Sequence, residues 1–341
     1  MNQAVDSPSP VSRAERLQGM LTGSFIGDAL AMPVHWYYDT NALESNYGVV
    51  RDYLLPRNPH SGSILWRSSY KALNAKGEIL HEQAKYWGKR GVHYHQFLQA
   101  GENTLNLKLN RILWESLQSK GAYESGDYLE RYIAFMLNPD SHRDTYLEEY
   151  HRNFFHNYAR GRNPERCATE EKHIGGLACI FPVIAFYGAD RESGRHFTLE
   201  RLRATHPGST MEAAADLLID LIYALLDGEP FEEVFEDRYK RQTSPFLGFT
   251  WNELARRPTL RVLQESFSTV CYVPYSIPAV LYLLYKYWQD PETALIENTM
   301  AGGDNCYRGA VLGGLLGVIH GESGFPTRWV EGLVEPRISI L

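Results

Sequence analysis

The chain has 341 residues, 44% of them apolar and 22% charged, enough to bury a large core and longer than most single domains. A formal charge of −7, with no block of lysine and arginine, lacks the electrostatic footprint of nucleic-acid binding, so no nucleic-acid partner is expected. The longest apolar run, residues 310–319, falls far short of the roughly 20 residues that cross a bilayer. Cys167, Cys179, Cys271 and Cys306 are scattered without a CxxC pair and read as reduced thiols. The expectation is a cytoplasmic protein with no membrane partner.

Residues 1–12 are polar and proline-bearing and are expected to form a disordered leader to a single domain over 13–341. An amphipathic helix is predicted over 13–32, stopped by Pro33. It carries a ladder of small residues, Gly19, Gly23, Gly27 and Ala31, with Asp28 inside it. Residues 40–98 lack a sustained period and are rich in Tyr, Trp, Asn, Gly and Pro. They are expected to form an irregular cap with one or two short helices.

A buried helix is predicted over 104–117, begun by Glu102 or Asn103, followed by helices over 126–137 and 144–158. In the last of these Asp144 would favour the positive end of the dipole. Helices are also predicted over 174–186, 199–205, 210–226 (with Ser209 as N-cap), 230–239, 260–267, 276–288, 291–300 and 306–320. The final helix holds a second ladder, Gly309, Gly313, Gly317 and Gly321, with Asp304 just upstream. Side chains four apart share a helix face, so each ladder is a strip along which another backbone can approach closely. Because glycine costs a helix interior roughly 1 kcal/mol against alanine, such repetition points to packing or function. No stretch alternates strictly over six residues as a half-buried strand would, and the predicted fold is an all-α, multi-helix bundle.

The stretch from Gly19 to Pro33 resembles the opening signature of the ADP-ribosylglycohydrolase family, which includes the dinitrogenase-reductase-activating glycohydrolases and the J1 crystallins. Three further segments fall in the family's order: Gly101 to Leu117, the turn Thr205-His206-Pro207, and Gly302-Gly303-Asp304 with the second ladder. The resemblance runs from about residue 14 to 332. It implies an all-α domain whose cleft holds two magnesium ions, which position ADP-ribose and a water for hydrolysis of a glycosidic bond.

The departures from the family's pattern concentrate on its metal ligands. His35 stands where the family has a glutamate. Glu102-Asn103-Thr104 stands in its Thr-Asp-Asp-Thr motif, and Asp304-Asn305-Cys306-Tyr307 replaces its second aspartate pair. A thiol and an imidazole are poor ligands for hard magnesium. The expectation is therefore an enzyme without a resident cofactor, with magnesium left as the alternative. Asp304, Cys306, His35 and Glu102 are the weak metal candidates, of which the first three could hold a softer ion such as zinc.

The expected function is hydrolysis of an N- or O-glycosidic bond in an ADP-ribose-like or ribosylated substrate, the partner being a small molecule or an ADP-ribosylated group. A non-catalytic nucleotide-binding or crystallin-like structural role is the alternative. Glu102, Asp304, His35 and Cys306 are the candidate catalytic residues. Arg308 and His173 are expected to grip phosphate, with Gly175 and Gly176 offering amides to an anion. Asp28, Trp36, His93, His95, Asn103, Thr104, Asn305 and Tyr307 complete the expected cleft. Individually, Asp28 also reads as a structural carboxylate, and Asp304 or Glu102 as a helix cap.

Overall fold

Ser12 opens the first helix with a reciprocal cap: its hydroxyl accepts from the Glu15 amide at 3.3 Å, while the Glu15 carboxylate accepts from the Ser12 amide at 2.8 Å. The leader expected over 1–12 therefore ends before Ser12, and its first ten residues lie outside the described ones. The computed structural model describes residues 11–239 and 244–340.

These residues form sixteen α-helices: α1 (Arg13–Ala31), α2 (Thr40–Tyr47), α3 (Leu105–Lys120), α4 (Ser125–Leu137), α5 (Glu149–Ala159), α6 (Gly175–Ala178), α7 (Ile180–Tyr187), α8 (Arg191–Thr205), α9 (Ser209–Leu226), α10 (Phe231–Glu233), α11 (Trp251–Ala255), α12 (Thr259–Glu265), α13 (Val273–Tyr287), α14 (Pro291–Met300), α15 (Asn305–His320) and α16 (Thr327–Glu331). Among the described residues there is no strand, only an isolated antiparallel bridge between His173 and Tyr272. Among the described residues no helix is long and apolar enough to cross a membrane.

The two ladders lie on each other. A Cβ at Gly23 would sit 2.1 Å from the Gly313 carbonyl oxygen, and one at Gly313 would sit 2.0 Å from that of Gly23. Gly27 and Gly309 block each other in the same way, as do Gly19 and Gly317. Helices α1 and α15 thus run antiparallel with backbone against backbone, in a register three glycine pairs long. Gly321 differs from its ladder companions: it ends α15 with φ +70°, a left-handed conformation that glycine adopts without steric cost.

Helices α6, α9, α13 and α14 pack on α15, and α7, α9 and α14 on α1, so the pair is the axis of the domain. Burial accounts for its composition. From Gly19 to Ala31 every α1 residue is buried, as is α15 from Asn305 to Val318, leaving neither helix a polar outer face.

Several predicted boundaries shift, the furthest at α8, which starts at Arg191 and not at residue 199, while the stretch 174–186 divides into α6 and α7. Helix α3 is capped by Thr104, not by Asn103 or Glu102. Helix α9 takes Gly208 as its N-cap and starts at Ser209. Helix α5 starts at Glu149, so Asp144 lies in the preceding loop. The irregular stretch 40–98 holds α2 and short 3-10 turns at Leu65–Arg67, Ala75–Gly77 and His81–Tyr86.

Because a Cβ on Gly23 or Gly313 meets backbone rather than a movable side chain, G23A and G313A are each expected to destabilise the protein by about 3 kcal/mol or to prevent folding, as forced overpacking does. G126A in α4, where a Cβ meets nothing within 4 Å, should stay within about 1 kcal/mol of the parent and tend to stabilise. Urea unfolding midpoints of the three variants test the contrast.

Candidate active site

The turn after α14 brings three distant segments together. Gly302 and Gly303 have φ of +64° and +66°, and a Cβ on either would lie within about 2 Å of a backbone oxygen, that of Tyr37 or of Thr269. The Gly303 amide donates to the Tyr37 carbonyl at 2.7 Å, the Trp36 amide to the Gly303 carbonyl at 2.8 Å, and the Asp304 amide to the Thr269 carbonyl at 2.8 Å. Trp36 is itself held at φ +59°, a costly conformation for a bulky residue and of a kind that gathers at functional sites. Across the gap, the Ile174 amide donates to the Cys271 carbonyl and the Val273 amide to the Lys172 carbonyl, both at 2.8 Å. These bonds set His173 beside Cys271 and Tyr272.

Behind Trp36 runs a chain of buried hydrogen bonds. The Asp144 carboxylate meets His95 Nδ1 at 2.6 Å, His95 Nε2 meets His35 Nδ1 at 2.7 Å, and His35 Nε2 meets Asp304 Oδ1 at 3.3 Å. The two imidazole planes are 1° apart. At the far end His173 Nδ1 accepts from the Gly175 amide at 3.1 Å, so its proton is assigned to Nε2, 3.3 Å from Asp304 Oδ2.

With Asp144 ionised, each imidazole donates from Nδ1 and accepts at Nε2, leaving one proton to sit between His35 and Asp304. Burial and the neighbouring imidazoles hold His35 well below its ordinary value, and burial pushes the Asp304 carboxyl up, so both shifts favour a proton on Asp304 over one on His35. Burial acts most strongly on Asp144, to raise it, but the hydrogen bond from His95 together with the electrostatic pull of His95, Lys108 and His142 outweighs this and keeps the carboxyl below its usual range.

In front of this chain lies a cleft of about 320 Å³, at the lower end of the sizes that enclose a small ligand. Trp36, Tyr94 and Tyr146 form one wall, meeting edge to face with ring centroids 4.7 to 5.4 Å apart. His173, Cys271 and Tyr272 line the side made by the isolated bridge. Glu148, the residue before α5, also lines the cleft and is 3% exposed.

Glu148 Oε1 accepts from the Tyr307 hydroxyl, while Oε2 has no hydrogen-bond partner and lies 3.7 Å from His151 Nε2. Burial raises the Glu148 carboxyl to about 8, so it is protonated at neutral pH, with its proton on the unpartnered Oε2. The Tyr307 amide donates to Asp304 Oδ1 at 3.4 Å, joining Glu148 and Asp304 through one residue.

The residues picked from sequence divide into three sets. Trp36 and His173 line the cleft, and His35, His95, Asp304 and Tyr307 form the network behind it. The others hold structure. Asp28 accepts from the Thr104 hydroxyl and amide and from Asn103 at 2.6 to 2.9 Å, and burial against these bonds leaves it at about 6. Asn305 donates to the Val34 and Thr299 carbonyls, and His93 bonds to the Pro33 carbonyl. Cys306 is fully buried, and that burial drives its thiol well above the ordinary value, which suits a packing group and not a nucleophile.

Four expectations are corrected. Glu102 is bound by Lys108 at 2.6 Å and Arg143 at 2.8 Å and does not line the cleft. Arg308, expected to grip phosphate, is buried and donates to the Asn298 side chain and to the carbonyls of Asn298 and Gly302 at 2.7 to 3.0 Å. The Gly175 and Gly176 amides both donate to His173, so neither is offered to an anion. Conversely Glu148, Asp144 and Cys271 belong to the site and were not picked out. The alternating histidines of His93-Tyr94-His95 were the one local sign that buried carboxylates had to be nearby.

The donor set does not fit a pair of magnesium ions. Among the described residues two trios bring ligand atoms within 4.8 Å, His35 with His95 and Cys306, and His173 with Cys271 and Asp304. Both are dominated by nitrogen and sulfur, whereas magnesium takes oxygen. The ring nitrogens of His35 and His95 already bond to each other and to carboxylates, and His173 turns a proton, not a lone pair, toward Asp304. The zinc trio of His35, Cys306 and Asp304 is split between these two groups.

The ADP-ribosylglycohydrolase family model matches residues 9–340. An uncharacterised protein of Archaeoglobus fulgidus is 23% identical over 329 residues, 94% of this chain and 92% of its own length. Crystallin J1A of Tripedalia cystophora is 21% identical over 93% of this chain and 91% of its own. A solved chain described as an ADP-ribosylglycohydrolase-related protein complex superposes with a TM-score of 0.64 at 20% identity, covering 94% of this chain and 93% of that one, and thus shares the fold. With all but the extreme ends of its sequence matched, the chain belongs to the ADP-ribosylglycohydrolase family.

Proposed function

We propose that the protein hydrolyses an N- or O-glycosidic bond at ribose in an ADP-ribose-like or ribosylated substrate, without the dimagnesium centre that the family resemblance implies. The observation that carries this reading is the buried Glu148 carboxyl on the cleft wall, neutral at physiological pH, with one oxygen fixed by Tyr307 and the other unpartnered. Breaking a riboside passes through an oxocarbenium-like state, which calls for a proton donor at the leaving atom and a base for the entering water. Glu148 supplies the proton. Asp304 Oδ2, buried without a hydrogen-bond partner beside the cleft-lining His173, is the acceptor for the proton of a water admitted past His173, and the Asp304–His35–His95–Asp144 chain shares the added proton. His35, His95 and Asp144 act through Asp304 as positioning residues.

The likeness to a crystallin favours a second reading, a structural protein of this fold with no turnover. Activity decides between them. On an N-riboside assayed for released ribose, E148Q and D304N should each lower kcat/KM by about 100-fold or more. Chelator treatment should leave the parent rate unchanged. Parent-like rates in both variants would remove these carboxyls from the chemistry, and a total absence of turnover across N- and O-ribosides would favour the structural reading.

The proton on Glu148 also has a stability signature. Below pH 4.5 the group is neutral folded and unfolded. Between 4.5 and about 8 the unfolded chain ionises while the folded one resists, so the folded state binds more protons and stability falls as pH rises. The parent should therefore lose stability relative to E148Q by up to about 1.4 kcal/mol per pH unit over that window. The buried histidines have the opposite dependence, losing stability as pH falls, but they are common to both proteins and cancel in the difference. Urea unfolding at pH 5 and pH 8 measures it; a difference that does not change with pH contradicts the protonated Glu148.

A further inference from the structure

The chemistry of the cleft lining narrows the substrate class, an inference that rests on the hydrolase reading above. Of its twelve lining residues three are glutamates, Glu148, Glu149 and Glu171, and none is lysine or arginine. A nearby cation, Arg152, lies over the Trp87 and Tyr146 rings and is not among the lining residues. The groups that could have met a phosphate are turned elsewhere: Arg308 is fully buried off the cleft lining, with Nε and Nη2 on Asn298 and Gly302 and Nη1 unpartnered, and the amides of Gly175 and Gly176 are bonded to His173.

The remaining lining is dominated by aromatic rings. Trp36, Tyr94 and Tyr146 form the built wall, and Tyr38 and Tyr272, 50% and 51% exposed, also line the opening. Rings of this kind attract a flat cation through their π faces, and carboxylates attract it through its charge. A diphosphate would meet the carboxylates of Glu149 and Glu171 with no lysine or arginine in the lining to offset them. The independent sign of a missing ligand is Glu148 Oε2, buried in the wall without a hydrogen-bond partner.

We propose that the cleft takes a phosphate-free riboside whose base is a cationic nitrogen heterocycle, a pyridinium riboside in type, and not a nucleoside diphosphate. Such a base needs no proton to leave. Approach of the cation drives the Glu148 proton off to solvent, and the resulting carboxylate faces an opposite charge. In hydrolysis the C1–N bond breaks with its electron pair going to nitrogen, which departs neutral. A water oxygen bonds C1, the water's proton goes to Asp304 as above, and Glu148 takes a proton back from solvent once the neutral heterocycle has left. The net change is riboside cation plus water to ribose, neutral heterocycle and one proton.

The test is calorimetry at pH 7 on the full chain with three probes: the pyridinium riboside of nicotinamide, its uncharged dihydropyridine counterpart of nearly the same shape, and ADP-ribose. The pyridinium riboside should bind at least 10-fold more tightly than either of the others. Titrations in buffers of different ionisation enthalpy should show a proton released with the cation only. E171Q, which leaves Glu148 in place, should reduce the preference for the cation over its uncharged counterpart severalfold. Equal affinity for the charged and uncharged ribosides, or tighter binding of ADP-ribose, would overturn the proposal, and hydrolysis of neutral ribosides would then still stand as the function. Tight cation binding without cleavage would uphold the ligand class while ending the hydrolase reading.

Discussion

Contact between two polypeptide backbones is the constraint on which the rest of the molecule depends. Where α1 and α15 cross there is no side chain to adjust, because each glycine carbonyl occupies the space a Cβ on its partner would need. Hydrogen-bonded helices are stiff, and two of them locked in register fix the positions of whatever leaves their ends. The chain emerging from α1 carries His35 and Trp36, and the turn entering α15 carries Asp304. The backbone bonds among Trp36, Tyr37 and Gly303 complete the junction. The site is thus assembled at one end of the glycine contact, where His35 and Asp304 meet from 269 positions apart.

What stands at that junction is a problem in proton counting more than in metal ligation. Asp144, His95, His35 and Asp304 are all essentially shut off from water, where an isolated charge is expensive and a shared proton is not. The tautomers are determined by the ends of the chain, the Asp144 carboxylate at one side and the Gly175 amide on His173 at the other. The same economy explains Glu148, whose neutrality follows from its burial and whose bond to Tyr307 joins it to that chain.

Sequence periodicity made the frame legible and left most of the chemistry obscure. Glycine at every fourth position has one geometric meaning on a helix, and the predicted α1 and α15 lie within a residue or so of the observed ones. The helix predicted from Asp144 begins five residues later, and that one shift hid two site residues. Asp144 looked like a dipole-facing acid and is a loop carboxylate bonded to His95. Glu148 looked like a residue inside a helix and is the extended one before it, with φ −61° and ψ 159°, its side chain free to turn toward Tyr307. Arg308 misled for a related reason: an arginine in a first helical turn ordinarily reaches solvent, and only the tertiary fold shows Asn298 and Gly302 wrapped around it.

The reciprocal glycine pairs also bear on how such a protein can diverge. In an ordinary core a larger residue on one helix can be matched by a smaller one opposite, so sequence drifts along paired changes while the helices settle into new positions. At Gly23 and Gly313, or Gly27 and Gly309, that route is closed, since nothing smaller than glycine exists to compensate. The axis can therefore vary little, and variation falls on the segments it displays. An imidazole can stand at residue 35, and a thiol at residue 306, without moving the scaffold that presents them. A rigid centre of this kind gives the periphery freedom to exchange one reaction chemistry for another.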